Sequence, residues 1–279
     1  MSVENFIPEL TRAEVQVAFH RGQVVIPTLT PIPDGEIRTG NAVKIIGASL
    51  PEVIDYKAAG RRIEGAEISG DDVTVLIDQE KAVAERVDDV DERQAAGSLS
   101  QFTDLQGTAL ARDADRAAIA ALISGGTQGA TAAVDNVTKA KTAVRALATA
   151  MDNAEVPEDG RYLLVNPAAK ALITEWLGDS TAVQSGGDEL RKNKVGEVAG
   201  FTVIWSNGFP AGITGAAFVA YHEAAAAFAG QIDKTEAVRA GDGFADIVRS
   251  LSVYGVKVTR PAAVHTSGFT KPSTAPSEG

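Results

Sequence analysis

Residues 72–94, DVTVLIDQEKAVAERVDDVDERQ, decide how the rest of the chain is read. They begin as a strand, with Val73, Val75 and Ile77 on one side of an extended backbone and Thr74, Leu76 and Asp78 on the other. They end on Asp88, Asp89, Asp91 and Glu92, just ahead of a long Ala-rich stretch with helical spacing. Carboxylates placed there meet the unpaired amides and positive end of a helix dipole. The expectation is an extended arm that returns and feeds directly into a long rod.

Downstream, Leu110, Ala114, Ala117, Ala118, Ala121 and Leu122 recur at three- and four-residue spacing, predicting a helix over residues 99–123. Gly107 marks a kink, and Ser124-Gly125-Gly126 ends the rod. A second helix carries the stripe Val137, Ala140, Val144, Leu147 and Met151 behind Asp135 or Asn136 as cap. Residues 162–165 form a short buried strand, then Asn166-Pro167 opens a helix with Ala169, Leu172, Ile173 and Trp176 facing the core. Residues 195–205 read as two strands around Ala199-Gly200, and residues 218–232 fit helix by their Ala run. Over residues 247–260 the apolar phase changes from Leu251 and Val253 to Val256 and Val258, which predicts a β-bulge at Gly255. The tail from residue 263 is polar and Pro/Ser-rich, and is expected to be disordered or laid on the surface.

Upstream, residues 56–72 are charged and punctuated by Gly60, Gly65 and Gly70. A polar two-stranded arm is not stable alone, so it leans on another surface or remains a mobile loop. Residues 35–47 hold a strand after a Gly-Asn turn. Before them, residues 9–19 suit a short amphipathic helix, Val24 to Ile26 a short strand, and Pro27, Pro31 and Pro33 enforce extended chain. An arm of this kind makes few contacts with its own body, as a frayed terminus also would.

Composition narrows the function classes. The 279 residues are 44% hydrophobic and 23% charged, enough for one or two domains with real cores. A net charge of −11 argues against a nucleic-acid reader, and basic clusters do not exceed Arg61-Arg62 and residues 191–194. The absence of cysteine excludes disulfides and thiolate chemistry. The sequence shows neither a signal-peptide pattern nor an apolar run of roughly 18–20 residues, so a soluble, cytoplasmically made protein is expected.

Chemistry-bearing motifs fail one by one. His222-Glu223 begins a zinc-protease motif, but position 226 is Ala. His20 and His265 sit in the arm and tail, poor places for a general base. The cluster at residues 88–92 lacks the glycine and spacing of a calcium loop. Residues 124–129 lack the Lys-Ser/Thr of a phosphate loop, and Gly241-Asp242-Gly243 lacks the third glycine of a dinucleotide fingerprint. No catalytic, cofactor-binding or metal residue is therefore assigned, and no enzyme activity is expected.

The run VLIDQEKAVAERVDDVDERQA resembles the segment of tailed-bacteriophage major capsid proteins in which a protruding hairpin, the E-loop, returns and enters the spine helix. Four further stretches resemble that family in the same order: GEIRTGNAVKIIG, VPEDGRYLLVNP, GEVAGFTVIWSN and YGVKVTRP. Each is weak alone; their order from Gly35 to Pro261 is specific. The resemblance implies an α+β chain of the Hong Kong phage-type capsid fold. Its parts would be an N-terminal arm (1–34), a peripheral-domain strand (35–55) and an E-loop (56–80). A peripheral domain with spine helix (81–131), an axial domain (132–245), a closing strand (246–262) and a C-terminal tail (263–279) would come next. In such proteins residues 218–232 are extended and the N-arm crosses neighbouring subunits.

The resemblance further implies a structural major capsid protein that self-assembles as pentamers and hexamers into an icosahedral shell around double-stranded phage DNA, which it encloses without sequence-specific binding. Lys57, Arg61, Arg62, Glu64, Glu67, Asp71 and Asp72 are then the intersubunit contact candidates. Some shells of this fold cross-link an E-loop lysine to an asparagine; Lys57 lies in the right arm, but no motif names a partner, and no cross-link is expected. Because the sequence starts at the arm, a separate scaffolding protein is expected as partner, with a portal, a decoration protein as an optional addition, and no membrane. The location would be the virion, after assembly in the host cytoplasm. Two competitors are an encapsulin-like compartment, which would hold protein cargo, and a soluble α+β enzyme, which would be a small oligomer with a deep polar pocket.

Overall fold

The computed structural model describes residues 15–32, 42–45, 57, 61, 72–88, 100–178, 196–241 and 245–272. The elements in order are α1 (15–22), β1 (Thr30–Pro31), β2 (Ala42–Ile45), β3 (Val73–Leu76), β4 (Gln79–Asp88), α2 (Ser100–Gly125), β5 (Thr127–Gln128) and α3 (Val137–Asn153). They continue with β6 (Arg161–Val165), α4 (Pro167–Gly178), β7 (Glu197–Val198), β8 (Phe201–Trp205), β9 (Phe218–His222), β10 (Ala226–Arg239), β11 (Ala245–Val258) and β12 (Val264–Ser267).

A six-stranded sheet, ordered β5-β12-β9-β6-β8-β7, forms a middle layer. Strand alternation sends Leu163, Val165, Phe218 and Ala220 to one face, where α3 and α4 bring Ala140, Val144, Leu147, Met151, Ala169 and Ile173. Leu164, Val219 and Tyr221 go to the other face, against Ala118, Ile119 and Leu122 of α2. The apolar stripe of α3 is as expected, and Asn136 caps it by accepting from the Lys139 amide at 2.9 Å. Asn166 caps α4 by accepting from the Ala169 amide at 2.9 Å and also accepts from the Ala217 amide. Ala199 and Gly200, both at positive φ, make the tight turn between β7 and β8.

The second sheet, ordered β1-β10-β11-β4, is built on two 14-residue strands, β10 and β11. Here the Ala-rich stretch is not an α-helix: Glu223–Ala225 make a single 3-10 turn and the chain is extended from Ala226. Small side chains at Ala227 and Ala229 let Val43 and Val75 of the two-stranded sheet β2-β3 pack close against it. Helix α2 crosses the opposite face, and the helix runs through Gly107 unbroken. A Cβ at Gly107 would lie 2.7 Å from the Ala18 Cβ and the Val15 carbonyl, so the glycine serves a close crossing with α1 instead of the expected kink.

Four expectations need correction. First, Asp88 closes strand β4 instead of leading into the helix, and α2 as described has no acidic residue in its first turn; Asp89, Asp91 and Glu92 lie outside the described residues. Second, pairing through Gly255 is uninterrupted on the β10 side; the register shift lies across the sheet, between Ile232 and Lys234. The phase problem dissolves because Val248, Ser250, Ser252 and Tyr254 are the buried positions, in step with Val256 and Val258, which leaves Leu251 and Val253 on the far face. Gly255 has another cause: a Cβ there would sit 2.0 Å from the Leu76 carbonyl oxygen, so only glycine lets the chain between β3 and β4 lie on β11.

Third, residues 15–32 pack on their own body: Val15, Phe19, Val25, Ile26 and Leu29 belong to the same core as α2, and residues 24–26 are a turn entering a 3-10 helix, not a strand. Fourth, the expected tail begins with an internal strand. β12 lies between β5 and β9, Val264 and Phe269 are buried in the core, and Lys271 Nζ donates to the Ser124 and Gly126 carbonyls at the end of α2. The apolar residues Val264 and Phe269, diluted among polar ones, outweigh the overall polarity of that stretch.

Candidate assembly surfaces

The base of the hairpin arm is fixed from three sides. β2 pairs antiparallel with β3, Lys44 forms an ion pair with Asp72, and Lys257 Nζ donates to the Thr74 carbonyl at 2.9 Å. Leu76 stands on this base at 59% exposure, although Val75 beside it is fully buried. Of the contact candidates, Lys57 and Arg61 are exposed, and Arg61 holds φ at 61°, a conformation that L side chains seldom adopt. Asp72 is exposed and engaged with Lys44 of its own chain. Arg62, Glu64, Glu67 and Asp71 lie outside the described residues.

Beside the arm, the face of the long sheet away from α2 shows half-buried Ile247, Leu251 and Val253 and exposed Ala82 and Ala84. The register sets Ile247 opposite Val238, which is 41% exposed, and Leu251 opposite Ala82. On this face Lys234, Glu236 and Arg249 form an internal set, and exposed Glu80 stands opposite Val253. Glu236 accepts from Lys234 at 2.8 Å and from Arg249, and these two cations hold its carboxyl below the usual range. On the other face of the same strands Arg239 and Asp246 pair at 3.1 Å. An apolar strip edged by neutralised charges costs little to desolvate, as a protein–protein contact requires.

Toward α2 the same sheet adds a polar patch to its apolar contacts at Phe228, Tyr254 and Val256. Buried Gln106 donates to the Val248 carbonyl at 3.1 Å and accepts from Ser250 at 3.1 Å, and Thr235 donates to Ser250 at 3.3 Å. The Ser252 hydroxyl is buried with no partner among the described residues. Further along α2, Asp115 accepts three consecutive backbone amides, from Val24 at 2.7 Å and from Val25 and Ile26 at 3.1 Å each. Burial pushes this carboxyl up from its ordinary value, and the three amides pull it back. Thr28 is held in turn by the Val25 carbonyl and the Tyr221 hydroxyl. Asp115 is thus the clasp that keeps residues 24–28 on α2. A sequence signal for it exists: it falls beside Ala111, Ala114 and Ala118 on the buried side of the helix, where a carboxylate requires a partner.

On the six-stranded sheet, Trp205 is 46% exposed with Lys170 Nζ 4.0 Å above its ring. His222, half of the failed zinc motif, accepts the Ala224 amide on Nδ1 at 3.0 Å and so caps a short 3-10 turn. Among the described residues, no helix is long and apolar enough to cross a membrane.

Among the described residues, a long helix thus lies on one face of a long-stranded sheet, and the β2-β3 pair covers only part of the other. A family model described as phage capsid protein matches residues 74–267. Among solved structures, a chain of Mycobacterium phage Che8 is 35% identical, covering 90% of this chain and 93% of that one, with a TM-score of 0.73. The capsid structure of cyanophage P-SCSP1u is 19% identical over 86% of each chain, with a TM-score of 0.65. A virus-like particle from Pyrococcus furiosus is 13% identical, covering 94% of this chain and 99% of that one, with a TM-score of 0.62. These last two share the fold. Among curated proteins none matches the chain. The chain belongs to the phage capsid protein family, and it is a major capsid shell protein.

Proposed function

We propose that this chain closes into an icosahedral shell of pentamers and hexamers around double-stranded DNA, with the hairpin arm (56–80) of each copy resting on a neighbour. The observation that carries the reading is the far face of the long sheet: Ile247, Leu251, Val253 and Val238 form an apolar strip that the described parts of the chain leave uncovered. Burial of such a strip stabilises association by about 25 cal/mol per Å² of apolar surface removed from water. The contact candidates at the arm add exposed ion pairs, each worth roughly 0–1 kcal/mol and repeated at every copy. With residues 15–32 clasped to their own body, the part of the N-terminal arm left to reach a neighbour is residues 1–14. A scaffolding protein, a portal and a decoration protein complete the partners, with assembly in the host cytoplasm.

Negative-stain microscopy of the purified chain tests the reading. Hollow, closed particles of uniform diameter are expected. A monomer that persists at high concentration by light scattering overturns it.

A further inference from the structure

On α2 the stretch Arg112-Asp113-Ala114-Asp115-Arg116 sorts its charges by direction. Both carboxylates are engaged within the molecule: Asp113 accepts the Tyr254 hydroxyl at 2.7 Å, and Asp115 holds the Val24, Val25 and Ile26 amides. Both arginines are exposed, one helical turn apart. Among the described residues neither guanidinium has an ion-pair or hydrogen-bond partner. The elements flanking this face add no compensating charge. Residues 15–32, which run along α2 through Gly107 and Asp115, contain no acidic residue and present exposed His20 and Arg21. The loop at residues 206–217, whose Gly208 packs against Arg116 and Ile119, contains none either. On α2 itself exposed Asp104 lies two turns before Arg112; nearer the two arginines, the described flanking segments carry no carboxylate, in a chain with 37 acidic residues in 279.

The opposite side of the same sheet behaves differently. There the hairpin base and the Lys234-Glu236-Arg249 set satisfy their charges internally. The two sides of the sheet therefore differ in what they can receive. The far face suits apolar contact between copies, and the α2 face suits an anion.

We infer that the exposed face of α2 is turned to the inside of the shell, where Arg112 and Arg116 contact phosphates of the enclosed DNA. The inference rests on the reading of a DNA-holding shell. Guanidinium forks match phosphate oxygens and carry no base preference when they bind the backbone alone. Two such contacts per copy would be weak singly and numerous in sum, and they would offset the repulsion between an acidic shell and its contents.

The test is arginine modification by phenylglyoxal, followed by mass spectrometry, on DNA-filled particles and on the same particles emptied and treated with nuclease. Arg112 and Arg116 are expected to react at least roughly threefold more slowly in filled than in emptied particles, as guanidinium engaged with phosphate would. Equal rates overturn the inference. Slow reaction in both preparations also overturns it, because the arginines would then be covered by another copy. If no particles form, or if particles form but never hold DNA, the underlying shell reading fails first. A second arm uses variants. R112E/R116E is expected to leave the yield of empty shells unchanged and to lower the filled fraction several-fold, with R112K/R116K close to the parent. Normal filling of the reversed-charge variant, or loss of shells altogether, counts against DNA contact.

Discussion

The two sheets of this subunit are packed by different rules. The six-stranded sheet is covered on both faces, by α3 and α4 on one and by α2 on the other, and its interior side chains are large and apolar: Leu163, Leu164, Phe201, Phe218, Tyr221. The four-stranded sheet meets α2 through an apolar patch of Phe228, Tyr254 and Val256 that gives way to polar groups at Gln106, Ser250 and Thr235; among the described residues Ser252 has no partner there and the far face is open except where β2 and β3 lie. Interlocked apolar volume specifies one arrangement of its elements, because cores resist both voids and shear. Where polar groups replace that volume, at Gln106, Ser250 and Thr235, helix and sheet are held with less commitment to position. The contrast teaches that one sheet is closed within the described chain, while the other keeps an open face on which the proposed contacts between copies would fall.

Substitutions can break or sharpen that contrast. The largest effect is expected at the junction itself: Gly255→Val must displace the Leu76 backbone and should cost more than about 3 kcal/mol or abolish soluble protein, as measured by denaturant unfolding of disassembled subunits. Leu163→Ala, inside the six-stranded sheet, should cost about 2–5 kcal/mol by the same measurement. If it cost under about 1 kcal/mol, that sheet would not be the rigid half. Asp115→Ala removes the acceptor from three amides and should cost roughly 1–3 kcal/mol, with hydrogen exchange rising first at residues 24–28.

On the open face, Leu251→Ser and Val253→Ser should change subunit stability by less than about 1 kcal/mol yet prevent particle formation in light scattering. Equal losses of stability at Leu251 and Leu163 would erase the distinction between the sheets. The smallest effect is in pH. Burial raises the Asp115 carboxyl above its ordinary 3.8, so the folded chain takes up this proton more readily than the unfolded chain. Its contribution is full below that value and declines as pH rises through the raised one. Asp115→Asn should remove this slope from a plot of unfolding midpoint against pH.

The same division explains what can be read from sequence. The stripe of α3, the caps Asn136 and Asn166, and the alternation in RYLLV announce themselves because each is settled by residues nearby or by a fully enclosed core. Leu251 and Val253 mislead: they lie half-buried on the face away from α2, and a rule that sends apolar residues inward assigns them to the wrong face. Gly107 and Gly255 stand out in the sequence, but their causes are backbones distant along the chain, which no local pattern contains. Arg61 and Asp72 are legible as charged arm residues, although the tie between Asp72 and Lys44 depends on how β2 and β3 pair. The core role of residues 15–32 stays hidden because its apolar residues are too few to form a repeat and act through one distant carboxylate.

Strand β12 has a consequence for how the molecule is made. It enters between β5, which directly follows the long helix, and β9, and it joins Thr127 to His265 across nearly half the polypeptide. Until those late residues leave the ribosome, β9 has one bare edge and β5 has nothing to hold. A prematurely terminated product would therefore lack the piece that locks its central layer, and incomplete chains would be filtered out before they could poison a growing lattice.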